Sequence, residues 1–214
     1  SNHVIGVAVA DSSGNIWIAT SDNGIARFDG QNWTVYNSTN TALDNNPIYA
    51  IAVDSNEVVW LASHNHGLTR FDGTELFSYT TSNSSIPTNH LNSITIDGKG
   101  FIWMGTSSNG IIRFDGSSFV NYHPGNSAMP GNYIRTITED ATGNIWVAVS
   151  NGLVCFNDLG LTVYTQSNTG IPIGNVFSAD MGHDGILWIT VTGVGAYKFN
   201  GSDWTLYNSS NSGL

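Results

Sequence analysis

Charge is scarce in this 214-residue chain. Asp, Glu, Lys and Arg make up 10% of it, against about 25% in an average soluble domain. Lys and Arg together number 6, too few for a long helical array or a coiled coil, which draw heavily on charged helix formers. Disorder is excluded from the other side, because it needs few aromatics and much charge, whereas 7 Trp, 8 Tyr and 9 Phe are present. Long apolar runs are missing as well. None approaches the roughly 20 residues that cross a bilayer as a helix. Cysteine is almost absent: Cys155 stands alone, so no internal disulfide can form. That fits a cytosol or a bacterial periplasm, and not a disulfide-stapled secreted module.

The few charges are lopsided. A formal net charge of -10 repels a phosphate backbone and an anionic membrane surface alike. Neither a nucleic-acid partner nor membrane contact from this segment is therefore expected. The opening Ser1-Asn2 has no charged n-region and no apolar h-region behind it. It reads as a remnant of expression, as in a piece taken from a longer protein.

What the chain does have is a repeat. Trp17, Trp60, Trp103, Trp146 and Trp188 are spaced by 43, 43, 43 and 42 residues. Phe28, Phe71, Phe114, Phe156 and Phe199 keep nearly the same step, as do Tyr36, Tyr79, Tyr122, Tyr164 and Tyr207. Each unit holds four short strand patterns and no helical one, in the third unit Leu91 to Ile96, Phe101 to Thr106, Gly110 to Phe114 and Phe119 to Tyr122. Asp-x-x-Gly closes the first hairpin (Asp11 to Gly14, Asp140 to Gly143) and Phe-Asp-Gly the third, at Asp29, Asp72 and Asp115. Asn-Gly closes the second (Asn23-Gly24, Asn109-Gly110, Asn151-Gly152), where a type I′ turn requires positive φ at both central residues. Four antiparallel strands every 40 to 45 residues describe a propeller blade.

The expected fold is all-β, a β-propeller of four-stranded antiparallel blades, five blades of about 43 residues. One domain would span residues 1–214, with blades near 3–45, 46–88, 89–131, 132–174 and 175–214. In Ile16-Trp17-Ile18-Ala19 both strand faces are apolar, as between two neighbouring sheets. The repeated tryptophan is thus assigned to the core between blades. The last residues, 208–214, match the interior linker 166–172, so the array is expected to stop where a sixth repeat began.

The stretch from Gly14 to Gly30 (G-N-I-W-I-A-T, then N-G-I-A-R-F-D-G) and the linker from Asn83 to Ile94 (N-S-S-I-P-T-N-H-L-N-S-I) resemble the two-component regulator propeller repeat. The resemblance extends over all five units. It implies an extracytoplasmic sensor region of a bacterial hybrid histidine kinase, many of which detect saccharides, or a stand-alone secreted or lipid-anchored relative. The periplasm or cell surface is the location it implies, and part of a longer sensor protein the context. Kinase modules are absent from these residues.

Residues repeated in every unit serve the blade; polar departures from the repeat ask for another role. At the bottom end fall Asp11, Asp54, Asp97, Asp140, Asp29, Asp72 and Asp115, read as turn formers bonding nearby backbone N–H groups rather than as a calcium site. Arg27, Arg70 and Arg113 sit at the same end as their pairing partners. At the top end the first strands begin with irregular residues, and Tyr49, His90, Asn92, Tyr133 and Arg135 are expected around a channel mouth. Aromatic faces beside hydrogen-bond donors suit a sugar or another small polar ligand. His64 and His66 lie in the second hairpin turn of the second unit. They are kept as ligand contacts, because zinc would need a third ligand that no spacing supplies. His66 before Gly67 is read as a turn residue tolerant of positive φ.

No catalytic, metal or cofactor residue is expected. There is no G-x-S-x-G elbow, Glu57, Glu75 and Glu139 form no acid–base pair, and Cys155 falls on a blade strand, packed rather than nucleophilic. The function expected is that of a non-enzymatic sensor or ligand-binding propeller for a small molecule or saccharide. The alternatives are a five-site lectin built on the repeated linkers, a propeller lyase or hydrolase with a channel histidine and a metal, and a scaffold that engages protein.

Overall fold

The computed structural model describes all residues except 1–3, 21–23, 44–46 and 172–175, and the side chains of 4–7. The first blade comprises β1 (Val4–Ala10), β2 (Ile16–Thr20), β3 (Ile25–Phe28) and β4 (Trp33–Tyr36). The second comprises β5 (Ile48–Val53), β6 (Val59–Ser63), β7 (Leu68–Phe71) and β8 (Leu76–Tyr79). The third holds β9 (Leu91–Ile96), β10 (Ile102–Thr106), β11 (Ile111–Phe114) and β12 (Phe119–Tyr122), within a residue of expectation. The fourth holds β13 (Ile134–Glu139), β14 (Ile145–Val149), β15 (Gly152–Asn157) and β16 (Gly160–Tyr164). The fifth holds β17 (Val176–Met181), β18 (Leu187–Val191), β19 (Gly195–Phe199) and β20 (Trp204–Tyr207). Each set is an antiparallel meander in which strands pair in chain order. No helix among the described residues is long and apolar enough to cross a membrane.

The chain divides into two compact units, Ser1–Thr106 with Ile112–Asn121, and Ser107–Ile111 with Tyr122–Leu214. In the first, β1, β5 and β9 are successive neighbours; in the second, β13 lies against β17. The second strands carry the cores. All five residues of β6, of β10 and of β14 are buried, which only a strand covered on both faces allows. Trp17 meets the edge of Phe71 in the next blade, Trp60 that of Phe114, and Trp146 that of Phe199. Trp17, Trp60 and Trp146 pack between blades, as expected.

The aspartates of the first turn do more than shape it. Asp97 accepts the backbone N–H groups of Lys99 (3.0 Å) and Phe101 (2.8 Å) with one carboxylate oxygen, and the Trp103 indole N–H (2.8 Å) with the other. The same indole bond joins Trp17 to Asp11, Trp60 to Asp54 and Trp146 to Asp140. One carboxylate therefore both folds the turn and satisfies the only polar side-chain atom of a buried tryptophan. In the fifth blade Gly182 holds the aspartate position, and Trp188 is only half-buried where the other four are buried. The bottom-end carboxylates are thus turn and core groups, and among the described residues no three metal-ligating side chains gather. Arg70 pairs with Asp72 at 3.1 Å. Arg27 instead lies over the Trp17 ring, and Arg113 over Phe101 and Trp103.

These bonds favour the ionised acids. Burial alone would raise Asp140, but bonds from the Trp146 indole, the Thr142 hydroxyl and Asn144 outweigh it and hold the carboxyl at about 2, against an ordinary 3.8. Asp11 is lowered in the same balance. Backbone N–H groups lower Asp29, Asp72 and Asp115 in the third turns, those of Asn32, Glu75 and Ser118 foremost. A depressed folded value means stability that is full above the unfolded value and lost as pH falls through the folded one. The urea midpoint should stay flat from neutral pH down to about 5, then fall steadily towards pH 2. A decline already complete by about pH 5 would instead point to histidine.

The linkers hold structure that no sequence pattern announced. Each makes an i to i+4 backbone turn, and in the fourth blade it becomes a helical turn, α1 (Gln166–Thr169). The turn bonds run from the N–H groups of Thr41, Ser84, Ser127, Thr169 and Ser212 to the carbonyls of Asn37, Thr80, His123, Thr165 and Asn208. An asparagine inside the turn holds it. Asn83 accepts the Thr80 N–H (2.8 Å) and donates to the Ser78 carbonyl (2.9 Å), and Asn40, Asn168 and Asn211 repeat the pair of bonds. The side chain thereby caps an outward carbonyl of the fourth strand, the edge strand of the blade, and blunts it against pairing with another chain.

The second hairpins also differ from expectation. At Asn109-Gly110 only the glycine has positive φ (79°), and at Asn151-Gly152 only Asn151 (72°). Neither is a type I′ turn. His66 is likewise not at positive φ; Gly67 takes that conformation (65°). A Cβ there would collide with the Tyr79 carbonyl oxygen, so close approach of the outer strand, and not turn type, demands the glycine. Asn23 lies outside the described residues.

Candidate functional site

Antiparallel pairing puts the Asp-bearing turns at one end of each blade and the second hairpins and linkers at the other. At that second end the first strands share an irregularity. Pairing between β5 and β6 shifts between Ile48 and Ala50, between β13 and β14 at Ile134 and Thr136, and between β17 and β18 at Val176 and Ser178. Ser93 and Leu91 of β9 show the same shift against β10. The extra residue of each bulge is Tyr49, Asn92, Arg135 or Phe177. A bulge turns one side chain out of the alternating pattern and often borders a site. Tyr49 is 37% exposed and Phe177 62%.

The expected site residues fall into two groups. In the first unit the Tyr49 ring meets His64 edge-on, with centroids 5.4 Å apart, and His64 lies 4.8 Å from His90. The backbone fixes this meeting: His64 N–H donates to the Pro47 carbonyl (3.4 Å), just ahead of β5. Asn92 is half-buried and accepts the Ser93 hydroxyl. His66 is half-buried, its N–H bonded to the Ser63 hydroxyl at 2.8 Å, while His64 and His90 are exposed.

The second unit holds the other group. The Arg135 guanidinium lies 5.1 Å from the Tyr133 ring centroid and 5.8 Å from that of Phe177. Ser150 donates its N–H to the Tyr133 carbonyl at 2.8 Å and anchors the strand start. One residue beyond the bulge, the Thr136 hydroxyl accepts the Ala179 N–H at 2.9 Å, tying β13 to β17 and so Arg135 to Phe177. Two broad rings beside a fork of donors can stack on a sugar face and bond its substituents.

Phe177 is not among the residues expected from sequence. Counting from Asn175 as from Asn132 sets Ser178 against Arg135. The 42-residue step from Trp146 to Trp188 shifts the fifth blade by one and brings Phe177 opposite Arg135. His3 and Asn46, which open two of the first-strand stretches, lie outside the described residues, as does Asn175.

Cys155 is buried on β15 against Trp146. Burial, aided by the Asp140 charge, pushes its thiol up to about 12, which leaves it unreactive at neutral pH.

The fold is a β-propeller of four-stranded blades. The sequence model of the two component regulator propeller matches residues 42–65 and 128–151. Both segments run from a linker through the bulged first strand into the second. Among solved structures, the extracellular domain of the hybrid two component system BT3049 from B. thetaiotaomicron superposes with a TM-score of 0.78 at 23% identity, covering 95% of this chain and 28% of that one. The extracellular domain of the one component system BT4673 from the same organism gives 0.76 at 21%, covering 98% and 31%. Virginiamycin B lyase from Staphylococcus aureus gives 0.76 at 18%, covering 94% and 69%. The chain thus spans under a third of the length of the first two. No curated protein matches it.

Proposed function

We propose that this chain is the ligand-recognising part of an extracytoplasmic bacterial sensor, without catalysis of its own. It binds a carbohydrate or another small polar ligand at the bulged ends of its first strands, with Tyr133, Arg135 and Phe177 of the second unit as the main contacts. The observation that carries this is the bulge itself, which sets Tyr49, Asn92, Arg135 and Phe177 at equivalent positions and exposes two of their rings. Repeats of the regulator kind and likeness to two extracellular sensor domains support the sensing role. Signalling output belongs to parts beyond this segment.

The five-site lectin would use the repeated linkers. Their recurring asparagines, however, spend both amide groups on the linker and its strand, which leaves little for a sugar. A lyase whose metal is a zinc held by three side chains finds no such group among the described residues.

The test is thermal stabilisation by a panel of oligosaccharides. At least one should raise the melting temperature, and Tyr133→Ala should lose most of that rise while melting normally without ligand. A rise lost in His90→Ala instead would move the site to the rings of the first unit. An unchanged rise in both variants would overturn the bulged ends as the site, and no rise with any sugar would overturn the ligand class.

A further inference from the structure

Of the chain's six basic residues, Arg135 is the one at the bulged end of a first strand. Arg70 is paired with Asp72, and the charges of Arg27 and Arg113 act on Asp29 and Asp115. Lys198 lies over Trp188, and Lys99 has interactions of its own. Among the described residues Arg135, like Lys198, makes no ion pair or side-chain hydrogen bond and has ring contacts instead. Its nearest acid along β13 is Glu139, at the far end of the strand, about 13 Å away at the usual rise per residue. On the neighbouring β17, Asp180 turns its carboxylate to the Met181 N–H at 2.8 Å. In a chain of net charge -10, a half-buried guanidinium at the bulged end that meets no carboxylate among the described residues is open to an anionic ligand.

We infer that the ligand carries a carboxylate on a ring-shaped body, as a uronic-acid saccharide does, and that Arg135 receives that carboxylate. This rests on the reading of the bulged end as a ligand site. The guanidinium is planar and offers N–H groups in a fork that matches two carboxylate oxygens. Stacking against Tyr133 and Phe177 consumes none of those donors. The same rings, 39% and 62% exposed, supply flat apolar surface for the C–H face of a sugar. An acidic saccharide fits both halves of the arrangement, whereas a neutral one leaves the cation unanswered.

The experiment is titration calorimetry with oligosaccharides of galacturonic, glucuronic and mannuronic acids, beside their neutral galactose, glucose and mannose counterparts and a sulfated galactose oligosaccharide. One uronate should bind at least about tenfold tighter than its neutral counterpart, as expected of charge-assisted bonds. Arg135→Ala should abolish the preference, and Arg135→Lys should restore only part of it, since an ammonium lacks the fork. Both variants should melt as the parent does. Equal binding of acidic and neutral sugars, or a preference that survives Arg135→Ala, would overturn the carboxylate while leaving the ligand site standing. Tighter binding of the sulfated sugar would replace the carboxylate by a tetrahedral anion. Binding by no sugar of any class would overturn both readings.

Discussion

Phe114→Ala should lower the unfolding free energy by about 3–5 kcal/mol, the range for a buried phenylalanine cut to alanine. Phe114 is fully buried and stacks on Phe119 at 4.2 Å, with Tyr79 at 5.0 Å and the edge of Trp60 at 6.1 Å. Those rings come from two blades, so the cavity opens between them. Strands leave little freedom for the sheets to close on it, because hydrogen bonding fixes each backbone in its meander. Phe114→Leu should recover a large part of the loss. Urea unfolding would show both, and a cost under about 1 kcal/mol for the alanine variant would mean that the interblade core is loosely packed.

Asp97→Ala should cost about 2–4 kcal/mol, although it removes little apolar surface. It strands the Trp103 indole N–H and two turn N–H groups at once, and each buried donor left unmade costs about 1–3 kcal/mol. Asp97 is 8% exposed and Trp103 4%, so water cannot readily replace the carboxylate. Asp97→Asn should lie in between, because the amide oxygen can still accept from the turn. Exposed Asp29 is the control: its carboxylate bonds only the turn, at Gln31 and Asn32, and Asp29→Ala should cost less than Asp97→Ala. Equal costs would show that the indole bond contributes nothing.

Much of the fold is legible because the repeat puts each residue type into one recurring environment. Trp, Phe and Tyr recur at a step of 42 or 43 residues, and their spacing alone marks the core. In the first, second and fourth blades the Trp meets its own blade's Tyr and the next blade's Phe. Asp six residues before Trp recurs in four units, so the indole bond is there to be read. It hides because a turn already accounts for the aspartate. The bulges are hidden for another reason. A bulge is one extra residue that breaks the two-residue alternation without leaving a composition of its own. Only the 42-residue step hints at the shift that moves Phe177 into place. The irregular residues at the strand starts stand out against the repeat. Their sequence positions cannot show, however, that Tyr49, His64 and His90 gather as rings while Arg135 gathers its own pair.

The most direct test of ligand recognition at the bulged ends is calorimetry with the best sugar of the panel, on the parent chain and on Phe177→Ala. Saturable binding to the parent, weakened at least about tenfold by loss of the stacking ring, is the predicted result. Unchanged affinity in Phe177→Ala, or about five equivalent sites as linker recognition would give, would contradict it.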